Sequence, residues 1–437
     1  MQHIIKKQVI DLSLDKKLDT FIIQQKVSDE YYSKILPMLL QAFDAVSNDA
    51  DVIEIDSLSV DIGTIDSKDL DKGEWTDIVV KKITEQLIDV NLGLSSNIKT
   101  LKRSSPLNSA DQWIFYMRHG YLPWNVLSLR EDWYSNVLDA FASDSNAISK
   151  LHDLIKNDPA SVARIVSQNS ESFLSSLIET LTAENQDELI RLINEIAIEV
   201  YLQSEKKKLF NSYPRNEVKQ KLWEQALLLV ASEKAKLNPE KIVDFLERNF
   251  SSEGIPEKKE NTVIYKNEVN EEGIYVANAG VVLLHPFLNQ FFKNLLLIKE
   301  DGFVDSLSLQ KALFLLHYLA TGNANPNEHE LVMAKILCGY PLEEPINNLI
   351  ELIPQELDES ESLLLSAIGQ WSILKGTSAD GLREGFLQRN GKLYSKNETL
   401  ILQVEQGAID MLLDNLPWNL SIIKLPWMKE ILKVEWR

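Results

Sequence analysis

The chain has 437 residues, 44% hydrophobic and 25% charged, an ordinary balance for a globular protein and one that excludes wholesale disorder. Its 45 basic side chains stand against 65 acidic ones, a formal net charge of -20 that repels phosphate backbones and anionic lipid, so neither nucleic acid nor a membrane surface is an expected partner. The length exceeds what one hydrophobic core usually fills and predicts two or three domains.

Residues 1–92 read as a strand–helix–strand domain with a helical cover. Ile10, Leu12 and Leu14 alternate with Asp11, Ser13 and Asp15, the period of a half-buried strand. Phe21, Ile22, Val27, Tyr31, Ile35, Leu39 and Phe43 fall mostly four apart, one face of a helix in which Pro37 marks a kink or break. Val52 to Ile62 alternates again and stops at Gly63. Such a unit cannot bury both sheet faces alone, and Trp75 to Val90 is the candidate helix to cover it. The polar stretch Asn91 to Ser109 reads as a linker.

Residues 110–250 form a helical-hairpin region. Trp113, Phe115, Tyr116 and Met117 crowd a short helix that stops at Gly120, with Tyr121 and Trp124 just beyond. A packed core corner is the plain reading of this cluster and an aromatic ligand cage the other. Further helices break at Asn157-Asp-Pro159, Asn169-Ser-Glu171, Ala183 to Gln186, Pro214 and Pro239, and Ser161, Ser170 and Thr182 stand where N-caps are useful. Ser251 to Asn261 is polar, charged and carries Gly and Pro, the clearest linker in the chain.

Residues 262–437 form a C-terminal, mainly helical domain. Two short strands, Thr262 to Tyr265 and Gly273 to Val276, precede helices at Leu283–Leu297, Leu309–Leu319, Glu328–Cys338, Glu361–Leu374 and Leu382–Arg389. Gly391 to Tyr394 and Leu400 to Val404 read as a hairpin. The expected fold class is thus mainly α, multi-domain, with a small α/β N-terminal part and short strands or hairpins.

Chemistry-bearing patterns are sparse. Of the six histidines (His3, His119, His152, His285, His317, His329), no two stand at i, i+4 and none stands with cysteine at metal spacing, so no metal or cofactor is expected. The sequence has no nucleophile elbow, phosphate loop or dinucleotide fingerprint. Gly376 to Arg383 superficially resembles a phosphate loop, but Ser378 fits an N-cap better. Cys338 lies in an apolar helix end and reads as an inert buried thiol; a lone cysteine also excludes an internal disulfide and fits a reducing cytosol. No catalytic residue is assigned; a hydrolase remains only as a third alternative resting on unlocated carboxylates. Neither a signal peptide nor a membrane span is evident, so the cytoplasm is the expected location.

Nine tryptophans stand out, three in Leu-Pro-Trp triplets ending at Trp124, Trp418 and Trp427. Proline fixes the backbone before each ring, so the ring is presented at a defined angle to fill a core or anchor a partner. Trp124, Trp418, Trp427 and Trp436 are the candidate partner contacts, with Trp436 favoured because chain ends usually lie at the surface.

The ordered series of these motifs resembles the tape measure proteins of contractile injection systems, phage-tail-like particles assembled in the bacterial cytoplasm. It comprises Ile5 to Leu12, Gln25 to Ser28, Ile53 to Gly63 and Gly120 to Trp124. Its denser part is Asn278 to Phe287, Leu319 to Gly322, Leu337 to Gly339, Trp371, Ser378 to Arg389, Val404-Glu405, the two later Leu-Pro-Trp triplets and Val434 to Trp436. The resemblance implies a non-enzymatic structural or assembly protein, partnered by tube, baseplate or other injection-system proteins and incorporated into the particle. It leaves two mechanisms open: an extended ruler, at most roughly 650 Å long as one helix, or a folded assembly factor or chaperone binding tube, baseplate or cargo.

Overall fold

The computed structural model of the chain describes residues 3–46, 51–65, 73, 75–91, 100–126, 129–206, 215–232, 238–253, 269, 272–300 and 302–436. The strand expected at Thr262 to Tyr265, and most of the polar segments around residues 92–99 and 254–261, lie outside them. The chain is mainly helical with a few short strands and forms two compact units, residues 1–109 and 110–437.

In the first unit, Asp19 accepts the amides of Phe21 and Ile22 and starts α1 (Thr20–Glu30). A π-helical turn, Tyr31–Ile35, then leads into α2 (Leu36–Val46), with the Leu36 amide bonded to the Tyr31 carbonyl. This widened turn sits just before Pro37, which cannot donate to the helix ladder; one wide turn absorbs the break expected there. The expected strand over residues 52–62 is shorter, β1 (Asp51–Ile55), and residues 10–14 form no strand, with 10–13 exposed and Leu14 half-buried. Helix α3 (Trp75–Asn91) packs on α1, the π turn and α2 through Trp75, Val80, Val27, Ile35 and Leu39. The presumed linker hides a strand, β2 (Thr100–Ser104), antiparallel to β1, with Lys102 opposite Ile53 and paired to Asp51 at 3.1 Å.

Helix α4 (Ser105–His119), which runs on from the last residues of the first unit to open the second, is longer than the aromatic cluster suggested. It ends at Gly120, whose φ of +78° favours glycine. Helices α5 (Trp133–Ser143), α6 (Ser145–Asn157), α7 (Pro159–Gln168), α8 (Glu171–Thr182), α9 (Leu189–Lys206), α10 (Arg215–Ser232) and α11 (Pro239–Glu253) follow. Their starts obey local chemistry: Asp144 caps α6, Asp158 caps α7 with Pro159 behind it, and Ser170 caps α8. Two expected caps fall elsewhere. The Ser161 hydroxyl donates to Asp158 at 2.6 Å, and Thr182 closes α8 by donating to the Ile178 carbonyl.

The helical region then meets a denser body within the same unit. A 3₁₀ turn, Ala279–Leu284, feeds α12 (His285–Asn294); a small hairpin, β4 (Ile298–Lys299) with β5 (Gly302–Phe303), leads to α13 (Ser306–Thr321). A further 3₁₀ turn, Glu328–Leu331, precedes α14 (Val332–Cys338); α15 (Pro354–Gln370), the short α16 (Ala379–Leu382) and a π turn, Arg383–Leu387, complete the helices. One five-stranded sheet has the order β3 (Ile274–Val276), β6 (Gly391–Lys396), β7 (Thr399–Val404), β9 (Leu432–Glu435), β8 (Ile422–Ile423). The expected hairpin is β6–β7, β3 joins it antiparallel, and β9 runs parallel to β7. Leu393, Leu402, Leu432 and Val434 point from this sheet into the core beside Leu284, Phe292, Leu313 and Leu337.

Candidate functional site

The motif segments from Asn278 onward converge on that body and hold one another. Gly280 lies so close to the Phe386 carbonyl that a Cβ there would fall 1.7 Å from its oxygen, so two motif segments touch backbone to backbone. The indole of Trp418 donates to the Leu283 carbonyl at 3.1 Å and sets its ring edge-on to Phe287, with centroids 5.2 Å apart. Trp427 donates to the Leu337 carbonyl at 2.8 Å and packs against Phe292 and Phe303. Trp418 and Trp427 therefore each bond a backbone carbonyl of another motif segment while remaining half-buried. Trp124 is half-buried beside the Gly120 corner. Trp436, placed at the surface by its position in the sequence, is 4% exposed within the core, because the adjoining strand β9 lies between β7 and β8.

Behind the Gly120 corner lies a charge cluster that no sequence pattern disclosed. Arg164 on α7 and Glu328 are both 0% exposed and bonded Nε to Oε2 at 2.9 Å. The guanidinium also donates to the carbonyls of Met117, Arg118 and Glu343, and so closes the end of α4. Lys335, on α14, donates to Glu328 Oε1 at 2.7 Å and to the Leu342 and Glu344 carbonyls at 2.8 Å. Burial pushes the Lys335 ammonium below its usual range, and the Glu328 carboxylate opposes that shift. A Cβ on Gly120 would sit 2.6 Å from Glu328 Oε1, which gives that glycine a second reason beyond its φ. The cluster ties residues 110–253 to the body after residue 272, regions that the sequence presented as separate.

The remaining candidates occupy structural positions. Arg383 in the π turn donates to the Leu319 carbonyl at 3.3 Å and pairs with Asp380 at 2.8 Å and with Glu361. Ser378 caps α16 through the Gly381 amide at 3.0 Å, as its spacing implied. Burial raises the Cys338 thiol well above its ordinary range and leaves little thiolate. His317 is buried and His329 half-buried, and desolvation lowers both below the ordinary imidazole value. Both nitrogens of His317 and Nδ1 of His329 lack a hydrogen-bond partner. Among the described residues, no group of three or more His, Cys, Asp or Glu is placed to hold a metal ion. No described helix is long and apolar enough to cross a membrane.

Arg164 was legible only as one charge inside the apolar run Val162-Ala-Arg-Ile-Val166, and Glu328 and Lys335 only as a pair seven apart. Neither signal names its partner. Comparison with curated proteins and with solved structures gives no match. The family model for contractile injection system tape measure proteins matches residues 2–436, nearly the whole chain. The chain therefore belongs to the contractile injection system tape measure protein family.

Proposed function

We propose that this chain acts in injection-system assembly as a folded contact component, engaging tube or baseplate proteins through its surface, and is not drawn out along its length as a ruler. It is made in the cytoplasm and joins the particle there. Its half-buried tryptophans Trp124, Trp418 and Trp427 are the proposed contacts, since each ring is already oriented by its proline and needs little further ordering.

The observation that carries this reading is the density of mutual contacts in the second unit. Stretching residues 272–436 into one rod would strip Arg164, Glu328 and Lys335 of their partners and expose the shared core, a cost of many kcal/mol. The longest described helices have 18 residues, about 27 Å each. The test is to insert a twenty-residue helical segment into the polar stretch 254–261 and measure particle length by electron microscopy. A ruler lengthens the tube by about 30 Å; a folded component leaves it unchanged. Deleting the gene should shorten or abolish the tubes, whereas normal but empty particles would mark cargo handling instead.

A further inference from the structure

In the first unit, residues 3–18 are pinned at both ends and bare between the pins. His3 bonds to Asp44 at 2.8 Å and sets its ring against Phe43, and Tyr31 donates to the Gln8 side chain. At the other end the Asp15 carboxylate accepts the Lys17 amide at 3.1 Å, and the Asp15 carbonyl accepts the Leu18 amide at 3.0 Å. Residues 9–14 carry no helix, strand or turn, and none of them bonds to another described residue. Their side chains nevertheless alternate as a strand's do, Ile10, Leu12 and Leu14 against Asp11 and Ser13. Val9 is 63%, Ile10 45% and Leu12 42% exposed. A strand pattern with its ladder groups unused and its apolar side chains in water is a template for pairing with another chain.

From this unpaired, alternating segment we infer that residues 9–15 pair antiparallel with the same residues of a second copy, about a two-fold axis at Leu12. The sequence is self-complementary in that register. Leu12 meets Leu12, Ile10 meets Leu14, Asp11 meets Ser13 and Val9 meets Asp15. The apolar row then continues across the ladder, and no two carboxylates stand directly opposite. Neighbouring registers are worse. An axis at Asp11 sets that carboxylate against itself, and an axis at Ser13 sets Asp11 against Asp15. An axis between Asp11 and Leu12 faces Ile10 with Ser13 and breaks the row. A second copy supplies the matching pattern by symmetry, and the pins at each end of the segment lower the cost of ordering it. The net charge of -20 on each copy opposes the contact, so association is weak and strengthens as salt screens the repulsion.

The register is tested with Leu12→Cys in the full chain. Cys338 is the only native cysteine and is buried, so a disulfide between copies reports on the new thiol alone. Directly opposed Cα atoms of an antiparallel pair lie about 4.5–5.5 Å apart, within disulfide range. In Asp11→Cys the two thiols are instead diagonal neighbours, on residues about 7–8 Å apart. Mild oxidation at moderate salt, read on a non-reducing gel, should give about fivefold more dimer from Leu12→Cys than from Asp11→Cys. Equal yields from the two, or no dimer from either, overturn the inference. Sedimentation of the unaltered chain supplies a second measurement. Self-association is expected to rise with salt and to weaken about tenfold or more in Leu12→Lys, where each ammonium faces its own copy. A monomer at every concentration, or association untouched by Leu12→Lys, rejects the pairing. Leu12 already lies in water, so these substitutions leave the fold intact.

Discussion

The two units solve the same packing problem to different depths. In residues 110–437 the apolar residues close over one another and even charges are taken inside with partners. In residues 1–109 the core is a handful of side chains around Trp75 and Val27, while Phe21 is 74% exposed and Ile22, Tyr32 and Val9 also face outward. A short two-stranded sheet cannot bury both of its faces. The contrast teaches that the second unit is organised around a large shared core, whereas the first packs a small one and leaves several large apolar side chains outside it.

The sharpest way to break this comparison is to remove the charge on which the second unit's interior depends. Glu328→Gln leaves Arg164 and Lys335 buried without their counter-ion and should cost about 3–5 kcal/mol, read as a lowered melting transition for that unit by calorimetry. A loss below about 1 kcal/mol would mean the cluster is solvated and not part of the interior.

Acidification comes next. His317 and His329 have folded values depressed by burial, so the unfolded chain takes up protons first as pH falls. Stability is therefore full above about pH 6.5 and declines below it. His317→Phe should flatten the decline in a urea-unfolding series across that range; an unchanged slope would remove His317 from the account.

Trp427→Phe keeps a ring against Phe292 and Phe303 but deletes the bond to Leu337, for an expected loss of about 1 kcal/mol. Smallest of all is Phe21→Ser, which should move stability by less than about 0.5 kcal/mol because the ring is already in water. A large loss there would show that the first unit has a deeper core than its side chains suggest.

Much of the architecture was readable because it is local. The four-residue spacing of Phe21 to Phe43, the Asn-Asp-Pro break at 157–159, the Ser378 cap and the 391–404 hairpin each depend on neighbours a few residues away. Pairings across long sequence distance were not readable. Strand β2 looked like linker because Thr100 to Ser104 carries Lys102 and Arg103, and only its partner β1 makes it a strand. The buried cluster joins residues 164 positions apart, and no periodicity records that separation. Trp436 was misplaced for a related reason: position along the chain suggested the surface, and strand order put it inside.

Strand order also sets a timetable. Although β9 comes last in sequence of the five strands, it fills the gap between β7 and β8. During synthesis β7 therefore waits with one edge bare until residues 432–435 emerge, and β8 has no neighbour at all before then. A message truncated even slightly upstream would yield a body with an open seam, prone to clumping and to proteolysis, so only chains read through to β9 would reach the assembly line closed.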